Sequence, residues 1–260
     1  MKFYSLNRKS PRVSFREAVV RGIAPDRGLY FPETIDPLPE GFFSKLEGLD
    51  RNELALALIG QFVGDEIPQG ELLELIKDVL SFDFPLVPVE SNVFSLELFH
   101  GPSLAFKDFG ARFMARCLTE FHDGGPMTIL TATSGDTGAA VAHAYHGQPA
   151  IQVVILYPKG RISPLQEKLF CTLGGNVHTV AVDSDFDTCQ QLVKQAFEDD
   201  ELKEGLGLNS ANSINIARLM AQVCYYFEGA AASRSVADLV FSVPSGNFGN
   251  VTAGLIARRI

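Results

Sequence analysis

Cysteine is scarce in this 260-residue sequence, basic residues are outnumbered by acidic ones, and long apolar runs are missing. The four cysteines, Cys117, Cys171, Cys189 and Cys224, form no CxxC pair, and their wide spacing fits no zinc pattern. Reduced, mostly buried thiols are therefore expected. A formal net charge of -9 and the lack of a basic stripe argue against nucleic acid and anionic membranes as partners. A small anionic substrate stays compatible with that charge, because helix N-termini and a few cations create local positive sites. No stretch approaches the roughly 20 apolar residues of a membrane span. Met1–Ser10 has no apolar core of a secretory signal, so a soluble cytoplasmic protein is expected. Repeats and low-complexity tracts are absent. The five histidines, at 100, 122, 143, 146 and 178, are scattered and read as structural. What is abundant is apolar residues, 46% of the chain, enough for a substantial core.

Two textures divide the chain. In residues 1–92, Ser14 with Glu17 makes a capping box before a short helix ending near Gly22, and a proline-rich loop follows from Gly28 to Pro39. Stretches 51–63 and 70–80 carry apolar residues at helical spacing, so a small, mostly helical cap is expected. In residues 93–260, short apolar runs at 93–99, 127–132, 151–157, 177–182 and 236–243 alternate with helical patterns at 108–121, 136–146, 163–173, 185–199 and 213–229. This succession predicts an α/β fold, with mostly parallel twisted sheets and flanking helices. Ligands of such folds bind where strands end and helices begin. The last pattern, 247–260, stops without a closing turn, and the fold is expected to lack its C-terminal part.

Three junctions carry chemistry. In the first, residues 100–110, Lys107 follows an apolar run and precedes a helix. Leu104, Ala105, Phe106 and Phe109 surround it in sequence, and desolvation together with a helix dipole favours the neutral amine that Schiff-base chemistry needs. The competing reading is a snorkelling lysine paired with Asp108. In the second, residues 131–140, two glycines, hydroxyl residues and free N–H groups at a helix start form an anion cradle, or else a tight turn capped by Asp136 or Thr137. In the third, Val243 to Asn250, a glycine-rich loop precedes another helix and suits a phosphate. That loop is neither a Walker A motif nor a GxGxxG fingerprint. Two further segments are weaker: 157–168, with Lys159 and Arg161 after a strand, and 209–218, whose amides and hydroxyls also favour helix caps.

A lysine for an aldehyde, a loop for a cofactor phosphate and another for a substrate anion together match pyridoxal phosphate (PLP) chemistry. At these residues the sequence resembles the threonine synthases. Gly101-Pro102-Ser103-Leu104-Ala105-Phe106-Lys107-Asp108-Phe109 is similar to their PLP-lysine motif, and Thr133-Ser134-Gly135-Asp136-Thr137-Gly138 to their substrate loop. Tyr157–Gly160, Ser163–Gln166, Asn209–Asn215, Pro244–Gly249 and the N-terminal Gly28-Leu29-Tyr30-Phe31-Pro32 also resemble family segments, in the family's order.

The resemblance implies the PLP-enzyme fold of the tryptophan synthase β type. It also implies conversion of O-phospho-L-homoserine and water to L-threonine and phosphate, with Lys107 as the Schiff-base residue. Ser245, Gly246, Asn247, Phe248, Gly249 and Asn250 would bind the cofactor, Gly246 to Phe248 at its phosphate. Ser134, Gly135, Asp136, Thr137 and Asn212 would contact substrate, Ser134 and Thr137 at its carboxylate. Lys159, Arg161 and Ser163 would meet the substrate phosphate. No metal is implied, and the residue facing the pyridine nitrogen is expected in the part of the family's length that this chain does not span. A threonine-synthase-like phospholyase, a sister PLP enzyme and a non-catalytic PLP-binding fragment are the competing readings.

Overall fold

The computed structural model describes residues 1–42, 50–211, 215–233 and 238–260. In the N-terminal part, β1 (Phe3–Ser5) pairs antiparallel with β2 (Tyr30–Pro32). Helix α1 (Phe15–Arg21) between them starts at the expected Ser14–Glu17 capping box. Helices α2 (Arg51–Val63), capped by Asp50, and α3 (Gln69–Val79) follow. The two helical stretches fall where their periodicity puts them. The three-residue strands are too short for any period to announce.

The run at 93–99 behaves differently from its expectation. Strand β4 (Val93–Leu96) does not join the parallel sheet; it forms an antiparallel hairpin with β3 (Leu86–Glu90). Ser91 and Asn92 separate the two, and Asn92 adopts φ 62°, the left-handed geometry of a tight turn. A partner two residues away closes the smallest loop, so local pairing wins over a distant sheet.

Then come α4 (Lys107–Glu120), β5 (Thr128–Ala132), α5 (Asp136–Tyr145), β6 (Gln152–Pro158), α6 (Pro164–Cys171) and β7 (Val177–Val182). They are followed by α7 (Phe186–Glu198), α8 (Asp200–Gly205), β8 (Leu208–Asn209), α9 (Ile216–Ala232) and α10 (Gly249–Arg259). Strands β7-β6-β5-β8 form one parallel sheet in that order. The expected strand at 236–243 is not found. Positions 236 and 237 lie outside the described residues, and Asp238–Val243 pairs with no strand, with Val240 84% exposed. An apolar run becomes a strand only beside a partner, and β8 at the sheet edge is two residues long.

One apolar cluster runs through both parts, from Phe15 and Phe62 to Phe109, Tyr145 and Tyr225. Asn209 Nδ2 donates to Val20 O at 2.6 Å and Asn215 Nδ2 to Val19 O at 2.9 Å, tying α1 to β8 and to the start of α9. Cys117, Cys189 and Cys224 are buried free thiols, and Cys171 is half-buried. Among the described residues no helix is long and apolar enough to cross a membrane.

Candidate active site

Lys107 is the first residue of α4, and the loop before it is shaped by its neighbour. Asp108 is fully buried and accepts a hydrogen bond from Ser103 N at 2.9 Å. Burial pushes its carboxyl above the usual range, while the Ser103 donor opposes that. Leu104 N donates to Gly101 O at 3.0 Å, and Leu104 sits at φ 59°, unusual for a residue with a side chain. A Cβ on Gly101 would run into the Asp108 carboxylate, so only glycine fits there. With Asp108 turned inward, Lys107 turns outward. Its Nζ lies 5.5 Å from the Phe106 ring centroid and 3.4 Å from Asp136 Oδ2. The pairing with Asp108 that the sequence allowed does not occur.

Asp136 opens α5, and Thr133 organises the turn that delivers it. The buried Thr133 Oγ1 accepts from Gly135 N at 3.0 Å and Gly138 N at 2.8 Å. Gly135 adopts φ 141°, and an added Cβ would lie 2.5 Å from Gln166 Cδ. Ser134 and Asp136 are exposed and Thr137 is half-buried. Two N–H groups of the cradle are thus already satisfied from within. The N–H groups of Asp136 and Thr137, with the Ser134 and Thr137 hydroxyls, are the remaining candidates for an anion.

The segment after β6 reaches the same place. Gln166, at the third position of α6, donates from Nε2 to Asp136 Oδ1 at 2.7 Å. Its Oε1 accepts from Ser163 Oγ at 3.0 Å, and its N–H donates to Ser163 Oγ at 3.2 Å. The Ser163 hydroxyl is therefore engaged in a capping box rather than left for a ligand. Lys159 and Arg161 are exposed on the loop before it.

The third loop stands at the start of α10. Gly246, Asn247 and Phe248 are exposed, Phe248 by 70%. Ser245 Oγ donates to Val243 O at 3.3 Å. Asn250 Oδ1 accepts from Tyr225 at 2.6 Å and from Tyr226 at 2.8 Å, which anchors α10 on α9 and commits that side-chain oxygen. Asn212 lies outside the described residues.

Helices α4, α5 and α10, which open the three junctions, have no side-chain cap bond at Phe106, Gly135 and Phe248. By contrast α6, α7, α8 and α9 are capped by Ser163, Asp185, Asp199 and Asn215. Uncapped N-termini leave backbone donors for an anion. The fold thus gathers Lys107, Asp136 and Gln166 by direct contact. Sequence reasoning missed Thr133, Asp108 and Gln166. For Gln166 alone a local signal existed, the Ser-x-x-Gln spacing of a capping box. Among the described residues no group of metal-ligating side chains occurs.

Family profiles match this chain in two parts: "Threonine synthase N terminus" over residues 2–80 and "Pyridoxal-phosphate dependent enzyme" over residues 85–258. The threonine synthase of Escherichia coli (strain K12) is 56% identical over 262 residues, covering 100% of this chain and 61% of that protein. The crystal structure of threonine synthase from Escherichia coli superposes with a TM-score of 0.92 at 57% identity, covering 100% of this chain and 61% of that one. The crystal structure of PLP-bound threonine synthase from Brucella melitensis gives a TM-score of 0.91 at 39% identity, covering 100% of this chain and 58% of that one. The chain spans 61% of the length of the first of these relatives.

Proposed function

This chain belongs to the pyridoxal-phosphate-dependent enzymes, and on that premise we propose that it serves the threonine synthase reaction, O-phospho-L-homoserine and water to L-threonine and phosphate. The observation that carries the proposal is the 3.4 Å approach of Lys107 Nζ to Asp136 Oδ2, because it joins the lysine junction to the anion loop. The relatives named above support the choice of reaction, being threonine synthases along the full length of this chain.

The residues present fit the cofactor. A lysine side chain that is one-fifth exposed is partly shielded yet reachable by an aldehyde. At Gly246 an added Cβ would meet nothing within 4 Å, so there is open space beside the uncapped start of α10. A phosphate suits that place, held by the N–H groups of Gly246, Asn247, Phe248, Gly249 and Asn250 and by the Ser245 hydroxyl. When bound, pyridoxal phosphate supplies an electron sink for negative charge at the substrate carbons.

The chain's own groups do the rest. Lys107 Nζ would hold the cofactor at its aldehyde group and, when free, would hold and move protons at the substrate's α and β carbons. The Ser134 and Thr137 hydroxyls and the N–H groups at the start of α5 orient the substrate carboxylate. Lys159 and Arg161 counter the charge of the leaving phosphate. Ser163, with its hydroxyl in the capping box, contributes by holding the start of α6.

The test is absorbance of the purified chain with added pyridoxal phosphate, followed by borohydride reduction and peptide mass analysis. Wild type should gain a dialysis-resistant visible band and one reduced pyridoxyl group, on Lys107. Lys107→Ala should show neither. Equal spectra for the two proteins would defeat the assignment for this chain.

A further inference from the structure

One side chain connects two of the three junctions and belongs to neither the lysine motif nor the anion loop. Gln166 Nε2 donates to Asp136 Oδ1 at 2.7 Å, and the opposite oxygen of the same carboxylate, Oδ2, faces Lys107 Nζ at 3.4 Å. The orientation of Gln166 is itself fixed from behind. Its Oε1 accepts from Ser163 Oγ at 3.0 Å, so the amide cannot be reversed without losing that bond. A Cβ added to Gly135 would lie 2.5 Å from the Gln166 Cδ, so the amide rests directly on the left-handed turn. A residue that served only the helix cap would need the Ser163 bonds and nothing more. The donor aimed at Asp136 is surplus to that role.

We propose that Gln166 is a positioning residue: by pinning one carboxylate oxygen of Asp136 it turns the other toward Lys107 and so sets how the amine is presented. The idea rests on the assignment of Lys107 as the cofactor lysine, but the Gln166–Asp136 bond at its centre does not involve Nζ. Asp136 is about half exposed, and an exposed carboxylate has several rotamers of similar energy. Without the Gln166 donor, its time near Lys107 falls. A carboxylate held 3.4 Å from Nζ occupies one side from which an electrophile would approach the amine, so a loosened pair reacts faster with an electrophile.

The experiment is reductive methylation of the whole chain with formaldehyde and a borane, with the Lys107 peptide measured against the other lysines by mass spectrometry. It needs no cofactor, so it can fail while the cofactor assignment stands, and the reverse. Gln166→Met keeps the length and the packing over Gly135 but loses the donor; Gln166→Ala removes both. A pair of this exposure is expected to change the relative Lys107 rate by about three-fold. Gln166→Met should raise it by that factor, Asp136→Asn by the same factor or more, and the double variant no further than Asp136→Asn alone. Loss of the capping box by itself lowers Tm without touching the Lys107 ratio, which separates a structural role from a positioning one. An unchanged Lys107 ratio in Gln166→Met, or additive effects in the double variant, would overturn the proposal. If Gln166→Ala does not fold, Gln166→Met carries the test alone.

Discussion

Lys107 and Asp136, 29 residues apart, meet at 3.4 Å, whereas Lys107 and its sequence neighbour Asp108 face opposite ways. Helix geometry explains the second fact and the strand-turn-helix path of β5 to α5 the first. Consecutive residues on a helix diverge by about 100°. The buried carboxylate of Asp108 takes the inner direction, where Ser103 N awaits it.

Gly135 combines a positive φ with a close side-chain neighbour, so it tolerates a side chain poorly. At φ 141°, with the Gln166 amide 2.5 Å from an added Cβ, Gly135→Ala is expected to cost about 2–3 kcal/mol. Urea denaturation checks this. The midpoint should fall with an unchanged slope, whereas Gly124→Ala, which meets nothing within 4 Å, should lose only the backbone-strain part.

The two hydrogen bonds accepted by Thr133 predict a pair of outcomes. Thr133→Val leaves the Gly135 and Gly138 N–H groups without their acceptor in a buried place, at about 2 kcal/mol. Thr133→Ser retains the hydroxyl and should lose less than half of that. Hydrogen exchange of the 133–138 segment distinguishes them, with fast exchange expected for Val and near-native exchange for Ser.

Asp78 predicts a dependence on acid. Partial burial pushes its carboxyl up, but Arg116 at 2.7 Å and Arg112 at 3.3 Å outweigh this and hold it below its ordinary 3.8. A lowered carboxyl contributes stability above its unfolded value and loses it as pH falls through the folded one. Asp78→Asn should therefore cost about 1 kcal/mol at pH 7, allowing for solvent screening, and the difference from wild type should shrink below pH 4. Thermal melts between pH 3 and pH 7 measure it.

His143 acts in the opposite range. Desolvation lowers its imidazole below 6.5, although the Asp108 carboxylate pulls the other way, and its buried Nε2 has no protein partner. The unfolded chain takes up the proton first, so stability drops as pH falls below 6.5 and through the folded value. His143→Gln should flatten the melting temperature between pH 5 and pH 7. A slope equal to wild type would assign that pH dependence to other groups.

What the sequence by itself determined is everything that short-range physics decides. The Ser14–Glu17 and Ser163–Gln166 spacings are capping boxes because the reach of a side chain to its own helix start is a local matter. Runs 127–132, 151–157 and 177–182 are strands of one parallel sheet because helices separate them. Lys107, Ser134–Thr137 and Ser245–Asn250 stand at helix starts for the same reason. Tertiary structure decided what depends on a distant partner. Val93–Leu96 went to a hairpin because Leu86–Glu90 lay closer than the sheet, and Asp238–Val243 stayed unpaired because a strand is made by its neighbour. Asp136 came to Lys107 because α4 packs against α5, and Gln166 came to Asp136 because β5 and β6 lie side by side and bring the ends of their loops together. A sequence states which groups a loop carries; the sheet's order states which loops meet.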